Sequence, residues 1–396
     1  VVAVLDTGIR ASHPDLSGQT VAGYDMIADT FVSNDGNARD SDPSDPGDWS
    51  TAGQCGTGEP ASNSSWHGTH VAGTIAAKGN NSLGVIGVAF NAKVQAVRVL
   101  GRCGGYTSDI ADAMIWASGG TVSGVPANAT PAKVINMSLG GGGACDTTSQ
   151  AAINSARSRN TTVVVAAGNE NQNASNSNPA NCSGVVTVAA VGPTGGRAYY
   201  SNYGTVVDVA APGGDTSGGS ANGILSTLNA GTQGPGADNY AYYQGTSMAT
   251  PHVAGVVALM YQAKPTATPD QIEAALKSSA RAFPATCSQC GTGIVNAPAA
   301  IAAITGGTTP PPTGTTMNET ESNNSTSLAN LVSTSNTTVN GSLSSTTDTD
   351  YFRVNLPAGK TLTATLHGGS KDYDVHIRNS PGSPSPYRDK GAGQIA

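Results

Sequence analysis

Charged side chains are scarce in this chain. Asp, Glu, Lys and Arg make up 11% of its 396 residues, and the formal net charge is −7. No basic patch stands out, which excludes the usual electrostatic route to nucleic acid or to an anionic membrane. No uninterrupted apolar run reaches the roughly 20 residues that a membrane-spanning helix needs, so no membrane association is expected. The chain also lacks an initiator Met and a signal peptide. It opens inside an apolar stretch, VVAVL, and stops at GAGQIA. It therefore reads as a fragment or a processed product whose true N-terminus lies upstream.

What the chain does hold is 51 glycines, many small polar residues and six cysteines. An even cysteine count beside little Lys and abundant Ser, Thr and Asn fits a secreted, extracellular protein, where disulfides persist. Sequence alone does not choose among the pairings. CSQC, 287–290, resembles a redox motif, but no thioredoxin-like pattern surrounds it, and no second CxxC completes a zinc site.

Residues 1–304 alternate two kinds of segment. VVAVLD, AKVQAVRVL, AKVINMSL, TTVVVAAGN and VVTVAAV read as strands. HVAGTIAAK, SDIADAMIWAS, SQAAINSARSRN and MATPHVAGVVALMYQAK read as helices. This rhythm predicts an α/β fold with a parallel sheet and crossover helices. Strands this continuous in Val, Ile and Ala are expected to be covered on both faces. TGGTTPPPTGTT, 305–316, is a linker, since three prolines among Thr and Gly cannot pack. Beyond it, 317–396 turns to period-two alternation with turn residues, which predicts β-hairpins.

Chemistry is concentrated in a few places. In GTSMATPHVAG, 245–255, an apolar helix carries Ser247 at its front and Pro251 four residues on. Proline lacks an N–H and is tolerated in a first turn, so a helix starting near Ser247 is predicted. Ser247 is then either an ordinary N-cap or a nucleophile whose developing charge meets the helix N-terminus. A serine nucleophile needs a base, and the base needs an orienting group. Asp6 ends a predicted strand, and His67 opens a predicted helix in HGTH. Asn169 ends another strand and could donate to an oxyanion. Each has a plain alternative: a turn cap for Asp6, a helix-start donor for His67, a turn residue for Asn169. His67 and His70 could also be read as a metal pair, but further ligands are lacking.

VVAVLDTGIRASHPDL, HGTHVAGTIAA, VINMSLGGG, VVVAAGNENQNA and GTSMATPHVAGVVALM together resemble the subtilisin-like serine proteases, the subtilases. The resemblance implies a three-layer fold with a central, mostly parallel β-sheet flanked by helices. It implies Ser247 as nucleophile, His67 as general base, Asp6 as its orienting carboxylate and Asn169 as an oxyanion donor. Polypeptide substrates are expected between Gly104-Gly105-Tyr106 and Ser138-Leu139-Gly140, with Ala166, Ala167 and Gly168 lining the first pocket. Large apolar or aromatic residues are expected before the cut bond. The family is made with an N-terminal propeptide, which this chain does not contain, and the enzyme is expected to act as a monomer.

The resemblance also implies structural calcium. Asp15 and Asn81 would offer side-chain oxygens, and Gly79, Leu83 and Val85 carbonyls. The segment between Asp6 and His67 adds Asp35, Asp40, Asp42, Asp45 and Asp48, crowded enough to favour a second calcium. For the cysteines, Cys55–Cys103, Cys145–Cys182 and Cys287–Cys290 are the favoured pairs. Residues 317–396 resemble the pre-peptidase C-terminal domain, a small all-β sandwich, apparently cut short here. Its collagen-binding relatives bind calcium, and Glu319, Glu321 and Asn323 resemble their ligands. Two rivals remain at this stage. Lipases place their serine in G-x-S-x-G, unlike G-T-S-M-A here. A non-catalytic scaffold would not need Asp6, His67, Asn169 and Ser247 together.

Overall fold

The computed structural model describes residues 1–306, 315–333, 337–340 and 349–355, and four two-residue strands at 364–365, 378–379, 383–384 and 394–395. The chain divides into two compact units, Val1–Thr309 and Pro310–Ala396.

The first unit is built on a sheet of seven strands. In chain order these are β1 (Val2–Asp6), β2 (Thr20–Asp25), β3 (Val94–Arg98), β4 (Val134–Met137), β6 (Thr162–Ala166), β8 (Val185–Val191) and β9 (Val209–Pro212). Two-residue strands β5 (Gly141–Gly142) and β7 (Ser177–Asn178) pair separately. The sheet order is β2-β3-β1-β4-β6-β8-β9, and every pairing is parallel. Strand β1 sits between β3 and β4, where the order reverses. Open α/β sheets place their chemistry outside the carboxyl ends of the strands at such a switch point.

Alternation along β1 explains why both faces are covered. Val2 and Val4 face one core, with α2 (His67–Ala76) and α5 (Thr246–Ala263). Ala3 and Leu5 face the other, with α3 (Thr107–Ala117) and α4 (Thr147–Ser158). Each fully buried Val or Leu contributes about 1.5–3 kcal/mol of transfer free energy, so neither face can be left to water. Helices α6 (Pro269–Ser279) and α7 (Ala297–Thr305) extend the first core through Ile272, Leu276, Ala300 and Ile304. Sequence reading had not resolved these two helices. It had also missed β2, β9 and the antiparallel hairpin of β10 (Ile224–Asn229) and β11 (Asp238–Tyr243). That hairpin lies on α2, and the Tyr243 ring stacks on His70 at 4.7 Å. Its outer residues are polar and part-exposed, so no continuous apolar run marks it.

In the second unit, β12 (Thr315–Asn318) pairs with β14 (Thr337–Asn340), and β13 (Asn330–Val332) with β15 (Phe352–Val354). Both pairings are parallel, which corrects the expectation of hairpins for these four strands, whereas the two-residue strands at 378–379 and 383–384 pair antiparallel. Alternation reports that a segment is a strand, and it does not report the partner. The stretch KDYDVHI and most of GKTLTATL lie outside the described residues.

Candidate active site

Asp6 is the last residue of β1 and is fully buried. His67 is the first residue of α2, and its side chain is 21% exposed. The imidazole Nδ1 lies 2.8 and 3.0 Å from the two Asp6 carboxylate oxygens. Gly68 permits this approach, because a Cβ there would stand 2.2 Å from the Gly8 carbonyl oxygen. Burial opposes a positive charge on His67. The Asp6 carboxylate, helped by Asp48 and Asp45, outweighs that and holds the imidazole pKa above its ordinary value. His70 is brought to a different task. Its Nε2 lies 3.0 Å from both the Ile224 and Ala241 carbonyls, so it ties α2 to the hairpin and forms no metal pair with His67. Burial lowers its pKa to about 4.

Ser247 is the second residue of α5. Gly245, with φ of +151°, makes the turn into this helix. Pro251 lies beyond the first turn, later than expected, and its place has a consequence. A helix N–H at 251 would bind the carbonyl four residues back, that of Ser247. Proline has none to give, and the Ser138 hydroxyl donates to that carbonyl instead at 2.8 Å. Ser138 is held in turn by the Asn136 amide at 3.0 Å. The Ser247 hydroxyl donates to the Ser138 carbonyl at 3.2 Å. The proline therefore frees an acceptor through which β4 grips the backbone of the serine.

Asn169 caps α5 from outside. Its side-chain oxygen accepts from the Thr246 N–H at 2.8 Å and the Thr246 hydroxyl at 2.9 Å. This fixes which end of the amide faces the helix and leaves the NH2 group as the outward donor. The residue is exposed. In the first turn of α5 the Thr246 N–H is thus taken by Asn169 and the Met248 N–H donates to the Gly245 carbonyl at 3.0 Å, which leaves the Ser247 N–H beside the amide donor.

The expected substrate edges lie after β3 and β4. Gly104 is left-handed at φ +110°, Gly105 is exposed, and Tyr106, 52% exposed, precedes α3. Ser138 is buried, Leu139 half-buried and Gly140 exposed. Of the expected pocket residues, Gly168 is half-buried, at φ +103°. Ala167 is fully buried in a separate cluster with Ala174 and Ala189. It stands one residue beyond the end of β6.

Of the expected calcium ligands, Asn81 and Val85 lie against Asp15. Asp15 is fully buried, and both its oxygens accept hydrogen bonds. Asn81 donates to one, and the Val85 N–H (3.1 Å) and Tyr240 hydroxyl (2.9 Å) donate to the other. Gly79 and Leu83 lie on the same loop, and the Leu83 N–H donates to Asn81. The five aspartates of 34–49 are engaged one by one. Asp35 pairs with Arg98 at 2.9 Å, Asp40 accepts from Asn37 and the Asp42 N–H, and Asp42 accepts from the Ser44 N–H at 3.0 Å. Asp45 accepts from the Thr7 hydroxyl at 2.7 Å, and Asp48 from the Ser65 N–H at 2.6 Å. Local turns and Arg98 disperse the repulsion that sequence reading had assigned to a cation. Among the described residues, one group of three carboxylates converges: Glu319, Glu321 and Asp350, whose oxygens lie within 4.8 Å of one another.

All three favoured disulfides are present, Cys55–Cys103, Cys145–Cys182 and Cys287–Cys290. The first joins the segment before His67 to the edge at Gly104. Sequence reading missed Thr7, Ser65, Trp66, Thr246 and Tyr240. The proline rule alone could have pointed to the freed carbonyl of Ser247.

A sequence profile of the Subtilase family matches residues 1–298. The chain is 61% identical over 309 residues to an extracellular protease of Xanthomonas campestris, covering 78% of this chain and 52% of that one. It is 47% identical over 316 residues to an extracellular basic protease of Dichelobacter nodosus, covering 77% and 51%. It thus spans about half the length of these relatives. A solved structure of proteases from Pseudoalteromonas arctica is 65% identical, with a TM-score of 0.75, covering 76% of this chain and 89% of that one. The parallel sheet, its flanking helices and these matches agree: the chain belongs to the subtilase family.

Proposed function

We propose that the chain is the peptidase part of a secreted serine endopeptidase, with Ser247 as nucleophile. The observation that carries this reading is the Asp6–His67 contact of 2.8 Å beside a helix whose first turn bears Ser247. His67 takes the Ser247 proton as the hydroxyl oxygen bonds to the scissile carbonyl carbon. Asp6 fixes the imidazole so that Nε2 faces the reaction and stabilises the imidazolium that forms. The carbonyl oxygen becomes an oxyanion, met by the Asn169 NH2 group and the Ser247 N–H. His67 then gives its proton to the leaving amine, and the acyl-enzyme remains. Water, deprotonated by His67, releases the acid and restores the serine.

An extended peptide is proposed to pair with Gly104-Gly105-Tyr106 on one side and Ser138-Leu139-Gly140 on the other. Main-chain pairing of this kind gives broad sequence tolerance. Small apolar walls at Ala166 and Gly168 favour a large apolar or aromatic residue before the cut bond. A peptide-library cleavage profile tests this, and a preference for charged residues there overturns it. The enzyme is proposed to be released from an N-terminal propeptide and to work as a monomer.

Structural calcium is proposed for the second unit, read as a pre-peptidase C-terminal domain. Glu319, Glu321 and Asp350 would hold it, with Asn323 beside them. Asn323 is fully buried, and neither of its amide atoms has a hydrogen-bond partner. An all-oxygen, carboxylate-rich set suits a hard cation. Calorimetric titration of the whole chain with Ca2+ is expected to show a site that Glu321→Gln removes, and no heat of binding ends the proposal.

The test of the central reading is reaction with a phosphonyl fluoride. One equivalent of added mass on Ser247 with loss of activity is expected, and label elsewhere or full activity refutes it.

A further inference from the structure

The N-terminus of α2 is capped from outside the helix twice, in the same way. The His67 N–H donates to the Ser65 hydroxyl at 3.2 Å, and that hydroxyl donates to Asp48 at 2.7 Å. The Gly68 N–H donates to the Thr7 hydroxyl at 3.0 Å, and that hydroxyl donates to Asp45 at 2.7 Å. Each path runs from backbone N–H through one hydroxyl to a carboxylate. A hydroxyl that accepts from an N–H keeps its own proton for the carboxylate, and such chains polarise one another. The residue before the helix, Trp66, supplies no side-chain cap. The first N–H groups of any helix need outside acceptors, and negative charge is favourable there.

One path reaches the backbone of His67 itself, and the other joins its neighbour Gly68 to Thr7, the residue after Asp6. Ser65 stands two residues before His67, and Asp48 also accepts its N–H at 2.6 Å while the Tyr243 hydroxyl donates to its carbonyl at 2.8 Å. Thr7 follows Asp6, and its N–H donates to the Asp6 carboxylate at 2.8 Å. Both carboxylates come from the segment between the two members of the pair.

We propose that Asp45 and Asp48 are positioning residues of the peptidase reaction, each setting one member of the Asp6–His67 pair through a single hydroxyl. The proposal rests on the catalytic reading above. It assigns this part of the aspartate-rich segment a purpose other than holding a cation.

The charged and titratable groups around the imidazole are Asp6 on β1, Asp45 and Asp48 before α2, and His70 on α2 itself. Arg98 on β3 faces Asp45, Tyr243 on β11 faces Asp48, and His252 on α5 faces His70. Burial pushes Asp45 up to about 7, so it titrates in the range of the base itself. Asp48 is therefore the cleaner position for a pH test.

The wild-type chain is first titrated with the phosphonyl fluoride. A wild type without a reactive serine overturns the catalytic reading and leaves no reaction for Asp45 and Asp48 to serve. With a reactive wild type, Asp48→Asn and Thr7→Val are compared on a peptide anilide. We expect kcat to fall about 10-fold or more, the scale of a small misplacement of reacting groups, with KM nearly unchanged. In Asp48→Asn the acidic limb of kcat/KM moves to lower pH, because a carboxylate that raises the His67 pKa is gone. Thr7→Ser keeps the hydroxyl and retains wild-type kcat. Asp270→Asn, on a side chain 83% exposed on α6, shifts neither. If Asp48→Asn fails to fold by circular dichroism, Ser65→Ala takes its place with the same expected fall in kcat. Variants that melt earlier but keep kcat and the acidic limb unchanged overturn the proposal.

Discussion

Two helices carry the groups proposed to react, and their N-termini are built differently. Helix α2, which carries His67, starts on two hydroxyls backed by the carboxylates of Asp48 and Asp45. Helix α5, which carries Ser247, starts on the neutral side-chain oxygen of Asn169. Under the proposed mechanism, the difference matches the charge each end must meet. His67 becomes positive during the reaction, and negative groups nearby stabilise it. The carbonyl oxygen near Ser247 becomes negative, and a fixed carboxylate at that site would oppose it. A neutral cap leaves the Ser247 N–H and the helix dipole for the proposed oxyanion.

The comparison can be broken at several points. At the α5 end, Ser247→Ala is expected to fold and to lose about a millionfold in kcat, the loss seen when subtilisin's own nucleophile is removed. At the α2 end, Asp6→Asn is expected to cost about 10,000-fold. It also exposes the sign of the electrostatics. The base works when neutral, so kcat/KM rises as pH passes upward through the His67 pKa. Asp6 raises that pKa, so the wild-type limb lies above the ordinary histidine value of about 6.5, and removing the charge moves the limb to lower pH. A limb that moves upward in Asp6→Asn contradicts this account.

Smaller effects sharpen the comparison. Asn169→Ala removes the α5 cap and the amide donor together, and kcat is expected to fall about 100- to 1,000-fold with little change in KM. That size is the one known for oxyanion donors in subtilisins themselves. Ser138→Ala leaves the Ser247 carbonyl without its donor, at a cost of about 1–3 kcal/mol in stability by denaturant unfolding. Pro251→Ala in that background restores a helix N–H to the same carbonyl. It is expected to recover about 1 kcal/mol of the loss, and no recovery would detach the proline from Ser138.

How much of this was legible in the sequence differs between residues. Val, Ile and Ala runs spoke for strands because covered strands need no polar face. Asp6, His67, Asn169 and Ser247 stood out because each lies at or just past a strand end or in the first turn of a helix within a long family motif. The hydroxyl partners of Asp45 and Asp48 were not legible, since a run of aspartates looks the same whether it gathers a cation or separates onto different donors. The parallel pairing of β12 with β14 was hidden for a related reason. Alternation is a property of one strand, and pairing belongs to two.

The amino-acid order by itself determined the α/β layering, the four candidate side chains and the places where α2 and α5 could begin. Those features follow from local periodicity, from caps and from proline's missing proton. Only the folded chain decided that Ser138 would fill the carbonyl Pro251 leaves open, that Tyr240 and Asn81 would satisfy Asp15, and that Thr7 and Ser65 would stand between α2 and two carboxylates. Each of these joins groups distant along the chain, and a hydrogen bond has no direction until both partners are fixed in space.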